Sequence, residues 1–169
     1  MNLSATHDYQ QDLDSLLQYF SEEELIIEKY QALGAKNVKV QELKETSAGF
    51  VVTTYRDVPA NVPSLLKSVL GDYNTIKQVE NWAWQDDGSL VCAMSVTIEG
   101  VPAEMTGTLH FSEPLSTVGD GPVTRNEINL TIISAIPFVG KQLVNFIGQD
   151  SKQQMEAEYQ FLKELELTA

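Results

Sequence analysis

The sequence predicts an α+β domain in which a curved antiparallel sheet of about six or seven strands packs one face against a long C-terminal helix. Three observations carry this prediction. Residues 37–136 alternate apolar and polar side chains, with turn signals between the runs. Residues 12–34 repeat apolar side chains at helical spacing, in two short stretches. Residues 137–167 do the same over the longest such pattern in the chain. Amphipathic helices without a partner helix bury their stripes against a sheet.

A short strand over Asn2 to His7 opens the order of elements. Leu13, Leu16, Leu17 and Phe20 then fall on one face of a helix over Asp12 to Phe20, with Asp12 as its N-cap. Ser21-Glu22-Glu23-Glu24 has capping-box spacing, so Ser21 and Glu24 are expected to satisfy each other's amides at the start of a second helix. That helix carries Leu25, Ile26, Tyr30 and Leu33, and Gly34 stops it. Asn37 to Lys44 and Phe50 to Arg56 read as a hairpin around Ser47-Ala48-Gly49. Pro63 opens a short crossing helix over Ser64 to Leu70, closed by Gly71.

Thr75 to Trp84 and Leu90 to Ile98 flank the turn Asp86-Asp87-Gly88-Ser89. The second strand alternates most clearly, through Leu90, Cys92, Met94, Val96 and Ile98. Ala103, Met105, Gly107, Leu109 and Phe111 form the apolar face of the next strand, opposite Glu104, Thr106, Thr108 and His110. A loop is expected from Ser112 to Pro122, then a long strand from Val123 to Ile136 with Ile128, Leu130 and Ile132 in alternation. Pro137 is expected in the first turn of the last helix, whose stripe runs through Leu143, Ile147, Met155, Tyr159 and Leu162. Gly140, Gly148 and Ser151 leave gaps beside that stripe, where a curved sheet need not be filled by side chains.

At 169 residues the chain is expected to form one domain spanning 1–169. The 11 Lys and Arg against 24 Asp and Glu give a formal charge of −13, which repels phosphate backbones and anionic lipid surfaces. Nucleic acid is therefore not an expected partner. Cys92, the one cysteine, can form no internal disulfide. No stretch approaches the ~20 apolar residues of a membrane span, and the opening residues lack the pattern of a secretory leader, so a cytoplasmic location without integral membrane association is expected.

No phosphate loop, dinucleotide fingerprint, paired-His zinc helix or nucleophile elbow occurs, so neither a cofactor nor a metal is expected. His110 shares its face with Glu104, Thr106 and Thr108 and reads as solvated. His7, on a terminal strand, reads as exposed. Cys92, between Leu90 and Met94, reads as an inert buried thiol. Arg125 and Glu127 share one face of the last strand, and an outward orientation avoids the several kcal/mol of desolvating a charge pair.

The runs Tyr30-Gln31-Ala32-Leu33-Gly34, Val58-Pro59-Ala60 through Leu70, Trp82-Ala83-Trp84 and Ile136-Pro137-Phe138-Val139-Gly140-Lys141 together resemble a bacterial domain-of-unknown-function family of the START-like superfamily. The likeness covers residues from Tyr9 to Leu165, and the run opening the last helix is its most specific piece. It implies the helix-grip fold, with a cavity between sheet and long helix like that of lipid-transfer domains, pollen-allergen-like carriers and aromatase or cyclase enzymes. The acidic residue the family carries shortly after this helix start is replaced here by the stretch Gln142, Leu143, Val144, Asn145, so no role for it is carried over. The resemblance supplies no catalytic set.

These readings converge on non-catalytic binding or carriage of a hydrophobic small molecule, lipid-like or polyketide-like, between the sheet and the C-terminal helix. The expected lining is Trp82, Trp84, Met94, Val96, Met105, Leu109, Leu130, Ile132, Leu143, Ile147, Ser151 and Met155. One alternative is a cyclase- or hydratase-like enzyme using His7, Arg125 or Glu127 inside the same cavity. Another is an interaction module in which the helices of Asp12 to Gly34 present apolar surface to a partner or to a second copy in a homodimer.

Overall fold

The computed structural model describes residues 1–113 and 123–168; the loop expected from Ser112 to Pro122 falls, apart from its first residues, outside them. In chain order the elements are β1 (Asn2–Tyr9), α1 (Leu13–Ser21), α2 (Glu23–Ala32), β2 (Lys36–Glu45), β3 (Gly49–Pro59), β4 (Tyr73–Trp84), β5 (Leu90–Ile98), β6 (Ala103–Ser112), β7 (Thr124–Ser134) and α3 (Gly140–Thr168). The strands form one curved sheet in the order β1-β7-β6-β5-β4-β3-β2, every pair antiparallel. From β2 to β7 each strand pairs with the next in sequence, the arrangement that short turns between alternating segments favour. The first strand then closes on the last.

The register decides which side chains face α3. Arg56, Ile76 and Ile98 lie abreast on β3, β4 and β5. Gln78, Val96, Met105 and Ile132 form the next inward row, and Glu80, Met94, Gly107 and Leu130 the one after. Alternation along each strand then points their sequence neighbours outward.

Two apolar clusters hold α3 on this face. In the larger, Phe20 of α1 meets Trp82 at 5.4 Å and Phe111 at 5.6 Å between ring centroids, and Phe50 stacks on Trp82 at 5.5 Å. The smaller gathers Val62, Leu66, Leu70, Ala103 and Leu143. The apolar stripes of α1 and α2, through Leu13, Leu16, Phe20, Ile26 and Tyr30, are buried in the larger cluster, which leaves an outward-facing interaction module without its apolar surface. No helix among the described residues is long and apolar enough to cross a membrane.

Asp12 caps α1 as expected, accepting from the Ser15 amide at 2.7 Å. The capping box does not form. Ser21 ends α1 and donates its hydroxyl back to the Leu17 carbonyl at 2.9 Å, and the N-cap of α2 is Glu22, without a side-chain bond. With one residue between the helices, Ser21 has no room to leave the first and cap the second.

The crossing segment holds only a 3-10 turn, Ser64–Leu66, followed by a turn in which the Val69 and Leu70 amides both donate to the Leu66 carbonyl at 2.9 Å. Pro137 does not enter α3, which begins at Gly140. The chain must reverse between β7 and α3, and it does so in a tight turn where Val139 donates to the Pro137 carbonyl at 2.8 Å and Phe138 takes a φ of 66°.

Candidate functional site

Two adjoining chambers lie between the sheet and α3. The larger, about 120 Å³, is walled by inward residues of β3 to β6, by Leu70 from the crossing segment, and by Phe146, Ile147, Asp150, Ser151 and Gln154 of α3. The smaller, about 90 Å³, lies towards α1 and α2, between Phe20, Tyr30, Glu80, Met94, Leu130 and Met155 among others. Arg56 and Gln154 belong to both linings and form the common wall.

Eight of the twelve expected residues line these chambers. Val96, Met105, Ile147 and Ser151 face the larger, and Met94, Leu109, Leu130 and Met155 the smaller. The other four lie elsewhere. Trp82 is locked into the aromatic cluster, its indole donating to Glu80. Trp84 sits exposed at the end of β4. Leu143 is sealed in the smaller apolar cluster, and Ile132 is buried under the start of α3.

A polar relay crosses the inner face. Arg56 Nη2 donates to Gln78 Oε1 at 3.0 Å, Gln78 Nε2 to Glu80 Oε2 at 3.2 Å, and Trp82 Nε1 to Glu80 Oε1 at 3.2 Å. Burial pushes the Glu80 carboxyl up from the usual carboxylate range, against the lowering pull of Lys29. Lys29, 1% exposed, meets Glu158 of α3 at 3.3 Å and lies 3.7 Å over the Phe20 ring. Charge alternates through these groups, so each buried ion has a polar neighbour.

Arg56, Gln78 and Glu80 were missed as lining residues because charged and amide side chains in a strand read as its wet face. Their parity was nonetheless legible. Ile76, Gln78, Glu80 and Trp82 fall two residues apart on one strand, so whichever way the tryptophan turns, the carboxylate turns with it.

Arg125 and Glu127 point to the outer face. Arg125 Nε donates to Asp8 at 2.8 Å, and Glu127 lies 3.3 Å from His110. The interior thus lacks two of the three acid–base groups the enzyme alternative requires. His7 departs from its expected exposure: its ring is buried against Tyr159, 4.2 Å between centroids. The cause is α3, whose last turns cover β1, with the Tyr159 hydroxyl donating to the Asp8 carbonyl at 2.9 Å. Cys92 is buried, which raises its thiol far above the reactive range.

A family model described as a protein of unknown function, DUF2505, matches residues 4–165. No curated protein matches the chain. Among solved structures, a protein from Thermus thermophilus is similar at a TM-score of 0.60 and 14% identity, over 97% of this chain and 95% of that one. A conserved protein from Geobacillus kaustophilus matches at 0.55 and 8%, covering 97% and 93%. A START superfamily protein from Mycobacterium smegmatis matches at 0.53 and 11%, covering 97% and 98%. Identities this low speak to the fold alone.

Proposed function

The chain belongs to the DUF2505 family and has the START-like fold, and from that premise we propose that it binds and carries a small hydrophobic molecule between the sheet and α3. The observation that carries this reading is the larger chamber, whose wall of Val58, Leu70, Ile76, Val96, Ile98, Met105, Phe146 and Ile147 is mostly apolar. Methionines on facing elements, Met105 in the larger chamber and Met94 and Met155 in the smaller, give the linings soft, adaptable surface.

Size narrows the guest. A dry cavity of roughly 150 Å³ accepts a benzene ring, so chambers of about 120 and 90 Å³ suit a single ring or a short chain better than a two-chain lipid. Burying ~200 Å² of such a guest yields a gross gain of roughly 5 kcal/mol before association costs, enough for only modest affinity without a polar anchor.

Ile147→Trp fills the larger chamber. Isothermal titration calorimetry with toluene, a single ring, is expected to show saturable binding in the wild type and at least ~10-fold weaker binding in the variant, with the circular-dichroism spectrum unchanged. Wild-type protein that neither binds toluene nor carries extra mass in native mass spectrometry would sink the reading.

A further inference from the structure

The cavity wall contains a cation for which the described residues supply no counter-ion in contact. Arg56 lines both chambers and brings its guanidinium to their common wall. Its Cζ lies 4.0 Å from the Tyr30 ring centroid, so the ring packs against the guanidinium. One edge is engaged through Nη2 and Gln78. The other nitrogen, Nη1, is closed off from bulk water and donates to no group.

Among the described residues no carboxylate oxygen lies within 4.0 Å of this guanidinium. Glu158 is held by Lys29, and both oxygens of Glu80 accept from Gln78 and Trp82. A half-buried cation with one enclosed, unmatched N–H costs free energy that an arriving anion recovers.

We infer that the free edge of Arg56 takes the carboxylate of a small amphipathic monocarboxylic acid whose hydrocarbon lies against Val96, Met105 and Ile147. This rests on the guest-binding reading above and narrows its ligand class. The planar donor fork matches a carboxylate edge, and its contacts with Tyr30 and Gln78 hold the fork before the ligand arrives. Chambers of about 120 and 90 Å³ accommodate an aliphatic chain or ring of about six to eight carbons. The acidic residues of the larger chamber, Asp150 and Glu104, would favour an amine instead; burial raises the Asp150 carboxyl above the ordinary carboxylate range, and the amine arm of the test weighs that competing site.

The test titrates n-octanoate, methyl octanoate and n-octylamine directly by isothermal titration calorimetry at pH 8. In the wild type octanoate is expected to bind at least ~10-fold tighter than the ester, with the amine weakest. In Arg56→Met the acid-to-ester ratio falls close to one, and Arg56→Lys, a point charge without the fork, retains only part of it. Equal binding of acid and ester in the wild type, tighter binding of the amine, or an undiminished ratio in Arg56→Met overturns the anion site while leaving the apolar guest. Failure of toluene and all three ligands to bind removes the guest-binding reading itself. Should Arg56→Met not fold, the wild-type ratio and Arg56→Lys decide.

Discussion

Lys29 and Glu158 form an ion pair whose two ends are unequally buried, 1% against 27% exposed. Glu158→Gln leaves an ammonium enclosed beside Glu80 and the Phe20 and Tyr30 rings, whereas Lys29→Met leaves Glu158 within reach of water and the buried Glu80 still accepting from Gln78 and Trp82. We expect Glu158→Gln to cost about 3 kcal/mol in urea unfolding and Lys29→Met distinctly less; the reverse order would mean that the pair is not what stabilises this contact. His7 adds a pH dependence. Burial lowers its imidazole below the ordinary 6.5, against the raising pull of Glu156 and Glu158. The unfolded chain therefore takes up the proton more readily, and the stability His7 contributes is present above pH 6.5 and lost as pH falls through the folded value. Urea midpoints at pH 7.5 and 5.5 should fall more steeply for the wild type than for His7→Gln, and parallel profiles would refute this.

The elements show how far local pattern reaches. The span of β5, Leu90–Ile98, and the Asp12 cap of α1 were legible because alternation and capping are decided within a few residues. The capping box at Ser21 and the start of α3 at Pro137 were misread because a neighbouring element took the residues the motif needs. Gly107, halfway along β6, has a role visible only in the sheet. A Cβ there would collide with the Asn129 carbonyl and lie 2.5 Å from Leu130 Cδ2 on β7, so the bare backbone lets the two strands meet in this inward row. Gly107→Ala is expected to cost about 1 to 3 kcal/mol in the urea transition, since the carbonyl cannot move without breaking the ladder; a neutral change would show that the sheet can open at this row.

Across the whole molecule, Leu143 near the start of α3 and Leu162 near its end are fully buried, with the chamber-lining residues of the helix between them, so filling one chamber should leave these two anchors in place. Met155→Trp, aimed at the smaller chamber, should accordingly keep the thermal midpoint within a few degrees while weakening toluene binding. A cooperative loss of fold would mean that the chamber wall, and not the two anchors, holds the helix. By itself the sequence determined the α+β class, the order of strands and helices and the apolar faces, because periodicity and turn chemistry are local and repeat many times along the chain. It also determined the parity that turns Gln78 and Glu80 inward with Trp82. Only the tertiary structure decided that Trp82 seals the core while Trp84 faces water, that Arg125 pairs outward with Asp8, and that Arg56 comes to stand between two chambers with one nitrogen unmatched. Those outcomes depend on register, sheet curvature and the path of α3, which bring together residues far apart in the chain and are fixed by packing rather than by any short stretch of sequence.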